Sequence, residues 1–94
     1  MEKIITKEKI EKYKALTSSA LEAAKAATVR KGREKEAKEI IDMVTNYLSD
    51  VRYFEKRGDF VNAFAALNYA HGWLDSGAKL GIFNVNDSRL FTIK

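Results

Sequence analysis

Residues 60–80, FVNAFAALNYAHGWLDSGAKL, constrain this chain more than any other stretch. Phe60, Phe64, Leu67, His71, Leu74 and Ala78 recur at spacings of four and three, which puts them on one seam of a helix. Ala63, Ala66, Ala70 and Gly77 lie beside that seam, with Trp73 and Leu80 further round. Only a narrow sector, Asn68, Gly72, Asp75, Ser76 and Lys79, is left for solvent. A helix apolar over so wide an arc is wedged between neighbours, and its alanine and glycine column lets one backbone approach closely. It is therefore the central helix of a bundle, or one of its faces is an oligomer interface.

Two further stripes supply its neighbours. Ile10, Tyr13, Thr17, Ala20, Leu21, Ala24 and Ala27 mark a first helix. Thr6 is placed as its N-cap, and Ile5 and Ile10 flank it as a hydrophobic staple. Ala37, Ile40, Ile41, Val44, Tyr47, Leu48, Val51 and Phe54 mark a second. The first stripe carried forward at 100° per residue lands on Lys31, Glu34, Lys35 and Lys38, nearly opposite the second. One straight helix would have to bury two opposed faces, so the chain turns near Gly32. In EKRGDFVNA, Gly58 reads as a helix stop and Asp59 as the next N-cap, and Gly81 reads as the stop of the third helix.

The reading is all-α: an up-down-up three-helix bundle in one domain spanning 1–94, with helices over about 6–30, 33–57 and 59–80 and a tail over 82–94. Ninety-four residues leave no material for a second core. No proline forbids long helices. The tail holds Ile82, Phe83, Val85, Leu90, Phe91 and Ile93, too apolar for a solvated end, so it folds back over the bundle or reaches a partner subunit. Its alternation is too poor for a strand. The GDFVNAFAALNYA segment resembles one tetratricopeptide-type hairpin, but a single unit does not make a solenoid.

Chemistry is sparse. There is no cysteine, and the single histidine and aspartate at His71 and Asp75 are too few to ligate zinc. No cofactor is expected, nor a catalytic residue. His71 projects from the apolar seam and is read as a packed imidazole bonded to Asp75, four residues on, or to Tyr13 or Tyr47. The competing reading makes His71 and Asp75, with Trp73, a ligand-binding or acid–base site. Thr17, Ser18 and Ser19 show no partner base, and Gly72 is read as letting another chain come close.

Charge is uneven. Residues 1–39 hold 11 Lys and Arg against 7 acidic residues, and residues 40–94 hold 6 of each, so the net +4 lies entirely in the first part. Arg30, Lys31, Arg33, Lys35 and Lys38 concentrate it and are the candidate contacts to RNA or an acidic partner. The plainer reading has Arg30 and Lys31 ending a helix, where its dipole favours cations. The start, MEKIITKEKIEK, is too charged for a signal peptide, and no apolar run is long enough to span a membrane, so a cytoplasmic protein is expected.

The run from Tyr47 to Phe83 resembles a small archaeal family, domain of unknown function 357. The resemblance rests on Tyr53-Phe54, Gly58-Asp59 and above all YAHGWLDSG followed by LGIF. It implies a three-helix bundle and marks Asp59, His71, Gly72, Trp73 and Asp75 as signature positions, with no activity and no catalytic residue attached. The leading expectation is a small helical protein-interaction module, self-associating or an accessory subunit. RNA binding through the basic hairpin 30–38 and ligand chemistry at His71 and Asp75 are the alternatives.

Overall fold

In the computed structural model, which describes residues 4–92, three helices follow in order: α1 over Lys7–Ala26, α2 over Glu34–Lys56 and α3 over Phe60–Lys79. They form the expected three-helix bundle. Both α1 and α2 pack chiefly on α3, α2 more extensively, while α1 and α2 touch each other little. The core draws Ile10, Leu21 and Ala24 from α1, Ile40, Val44, Leu48 and Val51 from α2, and Ala63, Ala66, Leu67, Ala70 and Leu74 from α3. Where α1 meets α2, the Lys14 ammonium bridges to Glu55 at 2.9 Å, and this pairing, with Glu11 adding to it, raises the Lys14 pKa.

Local chemistry sets the ends of the elements. The Thr6 hydroxyl accepts the Lys9 N–H at 3.1 Å, as the cap reading requires. The stop after α2 is a Schellman turn: Gly58 N–H donates to the Glu55 carbonyl and Asp59 N–H to the Phe54 carbonyl, with Gly58 at φ +71°. Asp59 then caps α3 by accepting the Asn62 N–H at 3.1 Å. The same turn closes α3, with Gly81 N–H donating to Ala78 and Ile82 N–H to Gly77.

The first helix ends earlier than its pattern indicates. Ala27 is already extended, at φ −76° and ψ 153°. Beyond it, Val29 forms an antiparallel bridge with Phe83, flanked by Arg30 N–H to the Ile82 carbonyl and Asn84 N–H to the Thr28 carbonyl, each 2.9 Å. Two adjacent β-branched residues, Thr28 and Val29, give up little by leaving the helix and gain a partner from a distant part of the chain. Arg30 and Lys31 are therefore not helix-terminal cations; they lie in the connection that turns at Gly32. Arg33 precedes α2 without a side-chain cap bond, and the Glu34 carboxylate reaches back to the Gly32 N–H at 3.1 Å.

The tail folds back on its own bundle. Ile82, Phe83 and Phe91 are buried, while Ile93 lies outside the described residues. Phe83 fills the space left by Gly77: a Cβ there would fall 2.7 and 2.8 Å from the Phe83 ring and 3.2 Å from Ile40. Near its end, Thr92 N–H donates to Asp75 Oδ1 at 2.8 Å. Between these anchors, Asp87 holds a turn by accepting from the Arg89 backbone and guanidinium, which depresses the aspartate pKa.

Candidate functional site

His71 occupies the seam between α3 and α1. Its Nδ1 stands 3.2 Å from Thr17 Oγ1, and its Nε2 stands 3.6 Å from Asp75 Oδ1. The partner of the imidazole is thus a threonine from α1, not Tyr13 or Tyr47. Thr17, read from its neighbours as a hydroxyl without a base, is 2% exposed and has one. A buried hydroxyl on an apolar helix stripe must find a partner; that requirement was the signal available in the sequence. The Thr92 contact to Asp75 had none, because it is a backbone group delivered by the fold.

Around this trio lies a recess of about 330 Å³, with Tyr13, Leu16 and Leu67 as its apolar wall. Asn68, Gly72 and Thr92 complete the rim. Tyr13 packs edge-on against Phe64, with the Lys12 ammonium 5.8 Å from its ring centre.

Trp73 does not join His71 and Asp75. It faces a shallower recess on the other side of Gly72, shared with Asn68, Tyr69 and Ser76. There Trp73 is 39% exposed and Tyr69 63%, and the Tyr69 ring stacks on Tyr47 with centroids 5.7 Å apart. Val61, near the start of α3, and Leu80, just past its end, are exposed as well, at 69% and 61%. The apolar arc of α3 is therefore wider than α1, α2 and the described tail together cover. At Gly72 a Cβ would meet nothing within 4 Å, so no part of the described chain uses the space it leaves. The tight glycine is Gly77.

Asp59 stands apart from both recesses. Its carboxylate accepts the Asn62 side-chain amide at 2.7 Å as well as the backbone N–H, and these bonds hold its pKa below the ordinary value. This accounts for Asp59 as the start of α3. The five basic residues are all exposed. Arg30 and Lys31 lie on the connection, Arg33 at the α2 cap, and Lys35 and Lys38 on the first turns of α2, with Lys38 paired to Asp42 at 3.0 Å. Arg30 lies against Gly81, where its Nη1 would be 4.0 Å from a Cβ. Among the described residues, no group of three or more His, Cys, Asp or Glu is arranged to hold a metal ion. No helix of the described residues is long and apolar enough to cross a membrane.

The fold and these recesses define an all-α three-helix bundle whose tail is latched to α3 and whose α3 keeps an uncovered apolar strip. The chain belongs to the family described as "Protein of unknown function (DUF357)", whose model matches residues 12–83. That match takes in the Thr17, His71, Trp73 and Asp75 positions and stops at Phe83, before the latch residue Thr92. No curated protein and no solved structure matches the chain.

Proposed function

We propose that this protein is a protein-interaction module that works by pairing the outer face of α3 with a second copy of the chain or with a larger assembly it serves as accessory subunit. One observation carries this reading. Tyr69 and Trp73 of α3 and its C-cap Leu80 are exposed in one narrow sector, and the two aromatics flank a mid-helix glycine that no packing within the described chain requires. Glycine in a helix interior costs up to about 1 kcal/mol relative to alanine, and close approach of another molecule over Gly72 gives that cost a purpose. Aromatic side chains in an uncharged setting, here Asn68, Gly72 and Ser76, are the composition of an interface centre. The reading places the protein in the cytoplasm, a compartment that a chain without cysteine fits.

Sedimentation velocity over about 10–100 μM, concentrations that detect micromolar pairing, tests it on the wild type and on the Tyr69→Ser/Leu80→Ser double variant. A concentration-dependent dimer that the double variant abolishes is the expected result. A wild-type monomer that also captures no protein partner would remove the reading.

The second reading, RNA binding through residues 30–38, is favoured by the exposure of Arg30, Lys31, Arg33, Lys35 and Lys38 on one connection and the helix start that follows it. It requires an affinity that falls steeply with salt. RNA binding unchanged after Arg30, Lys31, Arg33 and Lys35 are replaced by Ser would exclude it.

A further inference from the structure

The recess between α1 and α3 has a chemical character that the interaction reading does not use. Among the described residues, Asp75 is the one carboxylate in its lining, and no lysine or arginine lines it. In a chain with net charge +4, Asp75 gives this recess a negative group, with the Lys12 ammonium behind the Tyr13 wall and Lys79 next to Asp75 in the adjoining recess. The Asp75 side chain is only 27% exposed, so its charge is less screened than that of a surface carboxylate.

The carboxylate is also held in place. Thr92 N–H donates to its Oδ1 at 2.8 Å, and the His71 Nε2 approaches the same oxygen at 3.6 Å. When the Thr17 hydroxyl donates to His71 Nδ1, the imidazole proton resides on Nε2 and points its positive end at Asp75. Three elements, α1, α3 and the tail, thus fix one acceptor at the end of a recess whose other wall is Tyr13, Leu16 and Leu67. A positioned carboxylate gives a charge-assisted hydrogen bond to an ammonium, and an aromatic and aliphatic wall takes an apolar body. Gly72 widens the mouth, because no Cβ projects there.

We propose that this recess binds a small organic ammonium, a primary amine carried on an aromatic or short aliphatic body. Its volume, about 330 Å³, lies at the lower end of the range for small-molecule sites and selects for a compact ligand. An anion of the same shape meets Asp75 and is refused.

The test is an amide-resolved NMR titration of the full chain with 2-phenylethylammonium, alongside 3-phenylpropanoate and 2-phenylethanol as charge-reversed and neutral counterparts. Saturable shifts are expected at Thr17, His71, Gly72 and Thr92, with a dissociation constant on the order of 1 mM or tighter. The two counterparts should bind at least about tenfold more weakly. Asp75→Asn keeps an acceptor for the Thr92 amide while removing the charge, and should weaken the ammonium by about tenfold. Leu16→Ala removes part of the apolar wall from the α1 side, away from the outer face of α3, so it tests the site without depending on a folded Asp75 variant; it too should weaken binding. Equal binding of the carboxylate or the alcohol would overturn the proposal, as would affinity undiminished in both variants. So would shifts confined to Tyr69 and Trp73, or no shift up to about 20 mM. The oligomeric state of Asp75→Asn should match the wild type, which separates this site from the outer face of α3.

Discussion

A methyl group added at Gly77 would arrive 2.7 and 2.8 Å from two carbons of the Phe83 ring, while the same group at Gly72 would touch nothing. Gly77→Ala should therefore destabilise the fold by about 1–3 kcal/mol through overpacking. Gly72→Ala should stabilise it by up to about 1 kcal/mol through helix propensity alone. Urea midpoints of the two variants, moving in opposite directions from the wild type, check the pair. Thr17→Val keeps the shape of the side chain but removes the hydroxyl opposite His71 Nδ1, and leaving that nitrogen unpaired should cost about 1–3 kcal/mol. Thr17→Ser, which retains the hydroxyl, should recover most of the loss in the same measurement. At this scale the sequence was only partly legible. Its pattern put His71 on an apolar seam and Asp75 within helical reach of it. It could not pair His71 with Thr17, because that contact joins residues 54 apart and depends on how α1 rotates against α3. The pattern put Gly77 beside the apolar seam and Gly72 in the solvent sector, but only the arrival of Phe83 shows which atoms need Gly77 bare.

The helices begin and end where short-range chemistry tells them to, except in one place. Thr6, Gly58, Asp59 and Gly81 act as the residue types at those positions indicate, since a cap is settled within four or five residues. The end of α1 is different, because Val29 leaves the helix to meet Phe83, and no local signal records a partner so far along the chain. The tail's burial was legible from its apolar content, but its choice of its own bundle over a partner was not. Asp59 offers a test of the cap. Its pKa is lowered in the folded chain, first by the Asn62 side-chain amide and then by the Asn62 N–H. Its contribution is thus complete above the ordinary value of 3.8 and is lost as pH falls through the lower folded value. The gap in thermal midpoint between the wild type and Asp59→Ala should narrow between about pH 7 and pH 2. A gap of constant size across that range would show that the charge plays no part in the cap.

Across the whole molecule, the bundle is lopsided: α3 is the hub, α2 its principal partner, and α1 is attached mainly along one side. Phe83 ties this arrangement together, packed on Gly77 beneath Ile40 and bridged to Val29. Phe83→Ala should cost about 3–5 kcal/mol, and its effect should be uneven. Hydrogen exchange is expected to accelerate most at Arg30 and Asn84, whose amides close the bridge, and least in the middle of α2. Uniform acceleration throughout would mean that the three helices open as one unit. The bridge also has a bearing on the order of assembly. The α2–α3 hairpin needs only a three-residue connection and contacts close in sequence, the kind of pairing that forms fast. The exit of α1 is fixed by residues 82–84, which leave the ribosome after all three helices have been made. The junction after α1 is therefore completed late: a growing chain carries residues 28–30 without their bridge partner until Phe83 emerges.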